Sequence, residues 1–381
     1  MTPAQDIGVY VHWPYCARIC PYCDFNVVRA RGADEASALV GAIVDDLRAN
    51  AALTGPRRLT SIFFGGGTPS LLEARQVETI IDAAKGLWTP SESLEVTLEA
   101  NPTDAEAKRF SELARAGVNR LSLGVQSLDD GALRFLGRNH DAAAARRAVG
   151  AAMRAFERVS IDLIYALPGQ GVAAWARELK GAIELGTEHI SPYQLTIETG
   201  TAFHRAVSRG AWRPTTSDLA ADLFETTAEI LQGAGFDAYE ISNHARGESA
   251  RSRHNLTYWR GGDYVGVGPG AHGRLTLCAH RWASLTPGKI GAYIERVRTQ
   301  GCGSARERLS AHDVALERLL MGLRTSEGVA RADLAPLAIA DQRLRGLAQQ
   351  GLARLDGGRI TIADKGRLVI DRITADLAGG A

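Results

Sequence analysis

One stretch decides how the fold of this 381-residue chain is interpreted: Tyr10-Val11-His12-Trp13-Pro14-Tyr15-Cys16-Ala17-Arg18-Ile19-Cys20-Pro21-Tyr22-Cys23. It begins inside an apolar run, residues 7–13, which predicts a buried strand. Three cysteines with C-x3-C-x2-C spacing follow that strand directly. Each of three thiolates on one loop can bind one iron of a cubane [4Fe–4S] cluster, which leaves the remaining iron open for another ligand.

Zinc is the alternative metal for these thiols. Zinc sites commonly use C-x2-C pairs completed by a further Cys or His, and His12 could be that ligand. Cys278 and Cys302 stand apart in the chain and are expected to be buried structural residues. Five cysteines with this spacing do not predict a secreted disulfide framework, so a cytoplasmic location is expected.

The N-terminal two thirds of the chain alternates between apolar runs and amphipathic stretches. The predicted strands are residues 7–13, 59–64, 94–98, 120–125, 159–165 and 190–195, and the predicted helices are residues 34–51, 73–87, 104–116, 141–156, 173–185 and 218–234. This alternation is typical of βαβ units and a parallel sheet. About six repeats suit either a partial (β/α) barrel or a doubly wound sheet.

Polar or glycine-rich tails follow five of the predicted strands. They are the cysteine cluster, Gly65-Gly66-Gly67-Thr68-Pro69, Glu99-Ala100-Asn101-Pro102, Gly124-Val125-Gln126-Ser127 and Leu167-Pro168-Gly169-Gln170, the last after a run that contains Asp162. In a barrel the carboxyl ends of all strands meet on one face, whereas a doubly wound sheet divides them across a crevice. The tails therefore favour an α/β fold built on a partial (β/α)6 barrel.

The sequence pattern changes after Gly235. Residues 238–273 are rich in Gly, His, Asn and aromatic residues and are expected to be irregular, while helices are predicted at 311–323, 331–338, 339–350 and 361–377, with a hairpin formed by 352–355 and 359–362. The expected domains are a barrel over 1–235, an irregular extension over 236–305 and a winged-helix-like module over 306–381.

Charge and hydropathy exclude several classes of partner. The net charge is +1, and the C-terminal module holds 12 Lys and Arg against 10 Asp and Glu, so no nucleic-acid partner is predicted. No apolar run reaches the length that spans a membrane. The segment from Met1 to Asp6 has no basic region and no apolar region, so no signal peptide is predicted.

The cysteine loop after the first strand of a βα barrel resembles the radical S-adenosylmethionine (SAM) superfamily. There the open iron is chelated by SAM, whose reductive cleavage gives a 5′-deoxyadenosyl radical. The five tails in order also resemble oxygen-independent coproporphyrinogen III oxidase and its relatives. The resemblance implies cluster ligation by Cys16, Cys20 and Cys23, and SAM contacts from Tyr10, Tyr22, Gly66, Gly67, Thr68, Glu99, Gln126, Arg138 and Asp162.

The chemistry of these side chains suits SAM. Glu99 ends an apolar run, where its carboxylate needs a partner, either ribose hydroxyls, the SAM ammonium or a structural arginine. Gln126 can donate and accept hydrogen bonds, and Asp162 can accept from ribose hydroxyls. Arg138 could bind the SAM carboxylate with two hydrogen bonds, or it could be a surface arginine. Tyr10 alternates with apolar neighbours, so its side chain could point inward.

Two features depart from the oxidase pattern. Phe25 occupies the position where oxidases of this family carry a further cysteine, and the first ligand is already residue 16, whereas the oxidases have a longer N-terminal segment. Both features resemble the related heme chaperones of the HemW type. The run His254-Asn255-Leu256-Thr257-Tyr258-Trp259 also resembles the H-N-x-x-Y-W motif of that branch, which is implicated in heme binding.

The motif has residues suited to heme. His254 could be an axial iron ligand, with His244 and His272 as rivals, and Tyr258 and Trp259 offer flat apolar surface. Three nearby arginines could meet the propionates: Arg251, Arg253 and Arg260. The alternative is a packed aromatic turn with a hydrogen-bonded histidine.

The resemblance thus implies a heme chaperone that binds a [4Fe–4S] cluster, SAM and heme and delivers heme to acceptor hemoproteins, such as respiratory, membrane-associated ones. An electron donor such as a flavodoxin is implied if SAM is cleaved, and a homodimer is one candidate state. The alternative is an enzyme that decarboxylates coproporphyrinogen III oxidatively or performs another radical SAM reaction on tetrapyrroles. A winged-helix regulator is the remaining hypothesis.

Overall fold

The computed structural model describes residues 5–30 and 32–379. Residues 1–4, which begin the segment from Met1 to Asp6 considered above for a signal peptide, lie outside the described residues. Within the described ranges, no helix is both long enough and apolar enough to cross a membrane.

Six parallel strands form the centre of the main sheet. They are β1 (Asp6–Trp13), β2 (Arg58–Gly66), β3 (Thr89–Ala100), β4 (Arg120–Gln126), β5 (Arg158–Tyr165) and β6 (His189–Gln194). Each strand pairs with the next in chain order. A doubly wound sheet requires the strand order to reverse at a switch point, and no reversal occurs along these six strands. The predicted partial (β/α)6 barrel is confirmed.

Helices connect these strands and cover the sheet. They are Ala33–Thr54, Ala74–Leu87, Asp104–Ala107, Phe110–Arg115, Asp130–Phe135, Ala142–Ala155, Val172–Ile183, Ala202–Ser208 and Ser217–Gly233. The single helix predicted for 104–116 is wrong, because the chain forms two short helices there. At the break, the Arg109 guanidinium donates to the carbonyls of Ser70 at 2.9 Å and Leu72 at 2.6 Å.

The strands alternate between an apolar face and a polar face. On β1, Ile7, Val9 and Val11 are completely buried in the main hydrophobic core, together with Leu39 and Ile43 of the first helix. The residues between them point to the opposite side of the sheet, because side chains alternate along a strand. That side is the barrel interior, which polar side chains of several strands fill.

The extension is more regular than the sequence predicts. The strands Asp237–Ala238 and His244–Ala245 continue the sheet beyond β6, and on the other edge Tyr264–Val267, His272–Leu277, His280–Leu285 and Ala305–Arg308 continue it beyond β1. Helices Arg253–Trp259 and Ile290–Gln300 also belong to this region, with a 3₁₀ helix at Glu248–Ala250. The prediction of an irregular extension is wrong, because pairing with the barrel edges imposes strands on short, glycine-rich segments.

The C-terminal module has its own small core. Its helices are Ala311–Gly322, Asp341–Gln349, Asp364–Arg367 and Ile370–Leu377, and its three-stranded sheet is Val329–Ala330, Ala353–Asp356 and Arg359–Ile362. The predicted hairpin is confirmed. The helix predicted at 331–338 is a 3₁₀ helix, Arg331–Leu337, that contains Pro336. The domain limits 1–235, 236–305 and 306–381 stay predictions.

Candidate functional site

The cysteine loop follows β1 on the face where the carboxyl ends of the strands meet. A short parallel pair, Tyr15–Cys16 with Val28–Arg29, closes the loop at its base. Cys16, Cys20 and Cys23 all line one cavity at this face. Burial raises the pKa of the Cys16 thiol and raises that of Cys23 to about 11. A metal that binds these groups must therefore displace thiol protons.

The glycine tail of β2 packs directly against the cysteine loop. Gly67 N–H donates to the Trp13 carbonyl at 2.7 Å, and Thr68 N–H donates to the Tyr15 carbonyl at 2.9 Å. A Cβ atom on Gly67 would lie 2.7 Å from the Tyr15 carbonyl oxygen. The Thr68 hydroxyl also donates to Cys16 Sγ at 3.6 Å. Glycine is needed at position 67 because a side chain there would collide with the backbone of the cysteine loop.

The cavity has a volume of about 420 Å³, within the range of small-molecule sites. Eight of the nine predicted SAM-contacting residues line it beside the three cysteines: Tyr22, Gly66, Gly67, Thr68, Glu99, Gln126, Arg138 and Asp162. The ninth, Tyr10, is not among the described wall residues. Its hydroxyl lies 3.0 Å from His12 Nδ1, and its ring lies behind Gly65.

Two buried acidic side chains, Glu99 and Asp162, face the cavity, and neither forms a direct ion pair with an arginine within the described residues. Glu99 accepts from Gly66 N–H at 3.2 Å, and Asp162 accepts from the Ser122 hydroxyl at 3.2 Å. Burial and the neighbouring Asp162 raise the pKa of Glu99 to about 8, and burial raises the pKa of Asp162 to about 6. The pair would be stabilised in its charged form by a cationic ligand.

Arg138 lies inside the cavity. Its guanidinium donates to Cys20 Sγ at 3.2 Å, to Asn101 Oδ1 at 2.5 Å and to the Gly124 carbonyl at 2.9 Å. Arg138 is therefore not a surface arginine.

Gln126 has a φ of 67°, which is uncommon for a residue with a side chain and is the kind of local strain found at binding sites.

His12 is not placed as a zinc ligand. Its Nδ1 atom meets the Tyr10 hydroxyl at 3.0 Å, and its Nε2 atom meets the Asn26 carbonyl at 2.9 Å. Within residues 5–30 and 32–379, no three His, Cys, Asp or Glu side chains lie close enough together to hold one metal ion. A cubane cluster makes no such demand, because each thiolate binds its own iron.

His254 lies in the barrel interior and is fully buried. Its Nδ1 atom meets the Ser61 hydroxyl at 2.8 Å, its Nε2 atom meets the Tyr258 hydroxyl, and its ring stacks on Phe63. Burial lowers the pKa of His254 to about 3, so the ring is neutral. Both ring nitrogens are occupied, so this conformation matches the packed aromatic turn and offers no free nitrogen to a heme iron.

The arginines near the motif also have partners. Arg253 donates to the Ser93 carbonyl, Arg260 pairs with Glu327, and Arg251 lies 4.0 Å from Glu248. Of the rival histidines, His244 is buried and His272 is exposed.

Family models match two parts of the chain. The radical SAM superfamily model matches residues 10–180, which include the cysteine loop, and the HemN C-terminal domain model matches residues 309–369. A mitochondrial radical S-adenosyl methionine domain-containing protein 1 from Bos taurus is 41% identical over 98% of this chain and 88% of its own length. The heme chaperone HemW of Mycobacterium tuberculosis (strain ATCC 25618 / H37Rv) is 34% identical over 99% of this chain and 96% of its own length. The chain belongs to the radical SAM superfamily, in the family of its HemW relatives.

The heme chaperone HemW of Escherichia coli K12 is 40% identical over 73% of this chain and 72% of its own length. The crystal structure of coproporphyrinogen III oxidase (HemN) from Escherichia coli superimposes with a TM-score of 0.81 at 22% identity, covering 99% of this chain and 90% of that one. This likeness extends the radical SAM fold over the barrel, the extension and the C-terminal module.

Several wall residues of the cavity beside the cysteine loop were not predicted from the sequence. They are Ser122 on β4 and the residues after β6, namely Leu195, Thr196 and Glu198. The β6 tail carries no glycine run, so only its position at the end of the sixth strand could have indicated it.

Cys278 was expected to be buried and is exposed at a tight turn, so that expectation is wrong.

Proposed function

We propose that this chain is a heme chaperone that binds a [4Fe–4S] cluster, SAM and heme and delivers heme to acceptor hemoproteins in the cytoplasm or at the membrane. Phe25 is the observation that carries the proposal. It stands where the oxidases have a further cysteine, it lies at the cavity wall, and 61% of its surface is exposed. The HemW names of relatives that align over most of the chain support the same function.

The described residues fit the two cofactors of the superfamily. Cys16, Cys20 and Cys23 would hold the cluster, since they share one cavity and Arg138 already donates to Cys20 Sγ. SAM would supply a sulfonium that can be cleaved reductively, with electrons from a flavodoxin-like donor. Glu99 and Asp162 would face its positive charge and its ribose, and the glycine tail would admit its amino acid moiety.

The alternative is oxidative decarboxylation of coproporphyrinogen III. The cavity lined by eight of the nine proposed SAM contacts and the shared fold of HemN support it, because the same groups would be needed for a radical reaction. Product analysis separates the two. A cluster-replete sample that cleaves SAM but forms no protoporphyrinogen under anaerobic, reducing conditions supports the chaperone.

Anaerobic reconstitution followed by heme titration tests the proposal directly. Iron, sulfide and heme are quantified per chain, and the Soret band is followed as heme is added. A heme chaperone gives a saturable Soret shift and then transfers heme to an apo-hemoprotein acceptor on mixing. Absence of any saturable shift from the cluster-replete protein contradicts the proposal.

Affinity for SAM is expected to rise with pH because of Glu99 and Asp162. Their pKa values are raised to about 8 and about 6, so both carboxyls are mostly protonated at low pH and ionise as the pH rises. The sulfonium charge does not titrate and favours the ionised carboxylates. We expect about tenfold tighter SAM binding at pH 9 than at pH 5, measured by calorimetry on cluster-replete protein.

Glu99→Gln should remove the upper part of this pH dependence. Glu92→Gln is the matched control, because Glu92 is an exposed residue earlier on the same strand. A Glu99→Gln protein whose SAM affinity still rises between about pH 7 and pH 9 would show that another group is responsible.

A further inference from the structure

A second cavity lies between the extension and the C-terminal module. Its volume is about 560 Å³, which is again in the range of small-molecule sites. One wall is formed by Tyr258 and Tyr264, whose rings pack edge to face with centroids 4.4 Å apart. The helix Ala311–Gly322 contributes apolar atoms opposite, including those of Val314 and Met321. The cavity therefore combines aromatic and aliphatic surface, as a flat organic ligand requires.

The same cavity carries an excess of positive charge. Four arginines line it, while Glu317 and Asp333 are its only acidic wall residues among those described. Arg274 pairs with Glu317 at 2.6 Å, Arg318 lies 3.4 Å from Asp333, and Arg281 pairs with Asp263 behind the wall. The fourth, Arg308, is exposed and forms no ion pair with any residue that the structure describes. Arginines in this setting recognise carboxylates.

His280 completes the cavity at its rim. It begins the strand His280–Leu285, directly after the hairpin turn at Cys278 and Ala279, whose φ angles are 47° and 61°, and its side chain is exposed. In contrast to His254, its ring makes no hydrogen bond to the described part of the chain. An imidazole with no hydrogen-bond partner at the rim of an apolar cavity is a suitable ligand for iron.

We propose that heme binds in this second cavity, with His280 as an axial ligand and Arg308 as a partner of a propionate. This inference rests on the proposed function, and it places heme away from the SAM cavity. His254 is then a positioning residue, because its Nε2 atom holds the hydroxyl of Tyr258, and Tyr258 forms the cavity wall. The motif would thus support heme binding without ligating iron. Coordination forms one bond from the His280 ring nitrogen to iron and transfers no electron.

Heme titration of the full, cluster-replete chain tests the assignment. We expect His280→Ala to weaken heme binding at least tenfold and to remove the absorption signature of histidine ligation. His272→Ala is the matched control, since His272 is also exposed and lies at the opposite end of the same hairpin. It should titrate as the wild type does. Arg308→Glu should weaken binding several-fold without changing the position of the saturated Soret band.

Two further measurements separate ligation from positioning. Iron-free protoporphyrin should still bind His280→Ala, as followed by fluorescence, because the cavity remains. Tyr258→Phe, which keeps the ring but loses the bond to His254, should lower heme affinity and leave the saturated spectrum unchanged.

The inference is overturned if His280→Ala keeps the wild-type spectrum and affinity, or if His272→Ala loses them. If either result is found while the wild type still binds heme, this inference fails and the proposed function is not contradicted. If the wild type itself shows no saturable shift, both the proposed function and this inference fail.

Discussion

Replacing Cys20 by alanine is expected to reduce the iron of the reconstituted protein from about four atoms per chain to less than about one. Cys20 lies at the centre of the C-x3-C-x2-C loop, and its Sγ atom accepts from Arg138 at 3.2 Å. A cluster with only two remaining thiolates would lack a ligand on one more iron and would be open to solvent. The broad visible absorption of the cluster should be lost together with the iron.

Cys302→Ala provides the matched control for this experiment. Cys302 is a partly buried free cysteine whose Sγ atom lies 3.7 Å from the Ser304 carbonyl, far from the cysteine loop in sequence. It should retain the full iron and sulfide content. The prediction fails if Cys20→Ala keeps a full cluster. Stoichiometric zinc without sulfide in the wild type would instead favour the zinc alternative, although His12 is then not free to complete the site.

Replacing Glu95 by glutamine is expected to destabilise the fold by about 3–5 kcal/mol. Glu95 is a buried residue of β3 whose carboxylate pairs with Arg158 at 2.7 Å. It also accepts from the backbone N–H groups of Arg253 at 3.1 Å and His254 at 3.0 Å. The substitution leaves Arg158 without its buried partner and loosens the start of the helix Arg253–Trp259. Urea denaturation of purified protein, followed by circular dichroism, measures the difference in the free energy of unfolding.

The effect of Glu95 should depend on pH in a defined direction. Burial alone would raise the pKa of Glu95, but Arg120 and Arg158 hold it below its usual value. A carboxyl with a lowered pKa in the folded state stabilises the protein at any pH above its unfolded pKa of about 4.3, and this contribution is lost as the pH falls through the folded value. The difference in the free energy of unfolding between wild type and Glu95→Gln should therefore be constant from about pH 6 to pH 8 and become smaller in acid.

Glu92→Gln is the control, because Glu92 is exposed three residues earlier on the same strand. Its effect should stay within about 0.5 kcal/mol. A Glu95→Gln protein as stable as this control would mean that the buried pair contributes nothing to folding. Because heme and SAM are absent from the measurement, the result does not depend on the proposed function.

The sequence determined the barrel and most of the residues that line the cavity beside the cysteine loop. Six apolar runs, five of them with polar or glycine-rich tails, identified β1 to β6, and eight of the nine proposed SAM contacts line one cavity. These features are local. A buried strand is visible in its own hydrophobic pattern, and parallel strands bring their carboxyl ends to one face, so motif position alone predicts proximity.

The tertiary structure decided the rest, because the remaining features depend on what packs against each residue. The sequence pattern of the extension, residues 236–305, predicted no strands, yet its segments pair with both edges of the sheet. His254 has the side chain of an iron ligand, but Ser61 and Tyr258 occupy its two nitrogens. His280 and Arg308 are more than 25 residues apart in sequence and meet at one cavity only in the fold. Residue type sets what a side chain can bind, and only packing determines which of its polar atoms remain free.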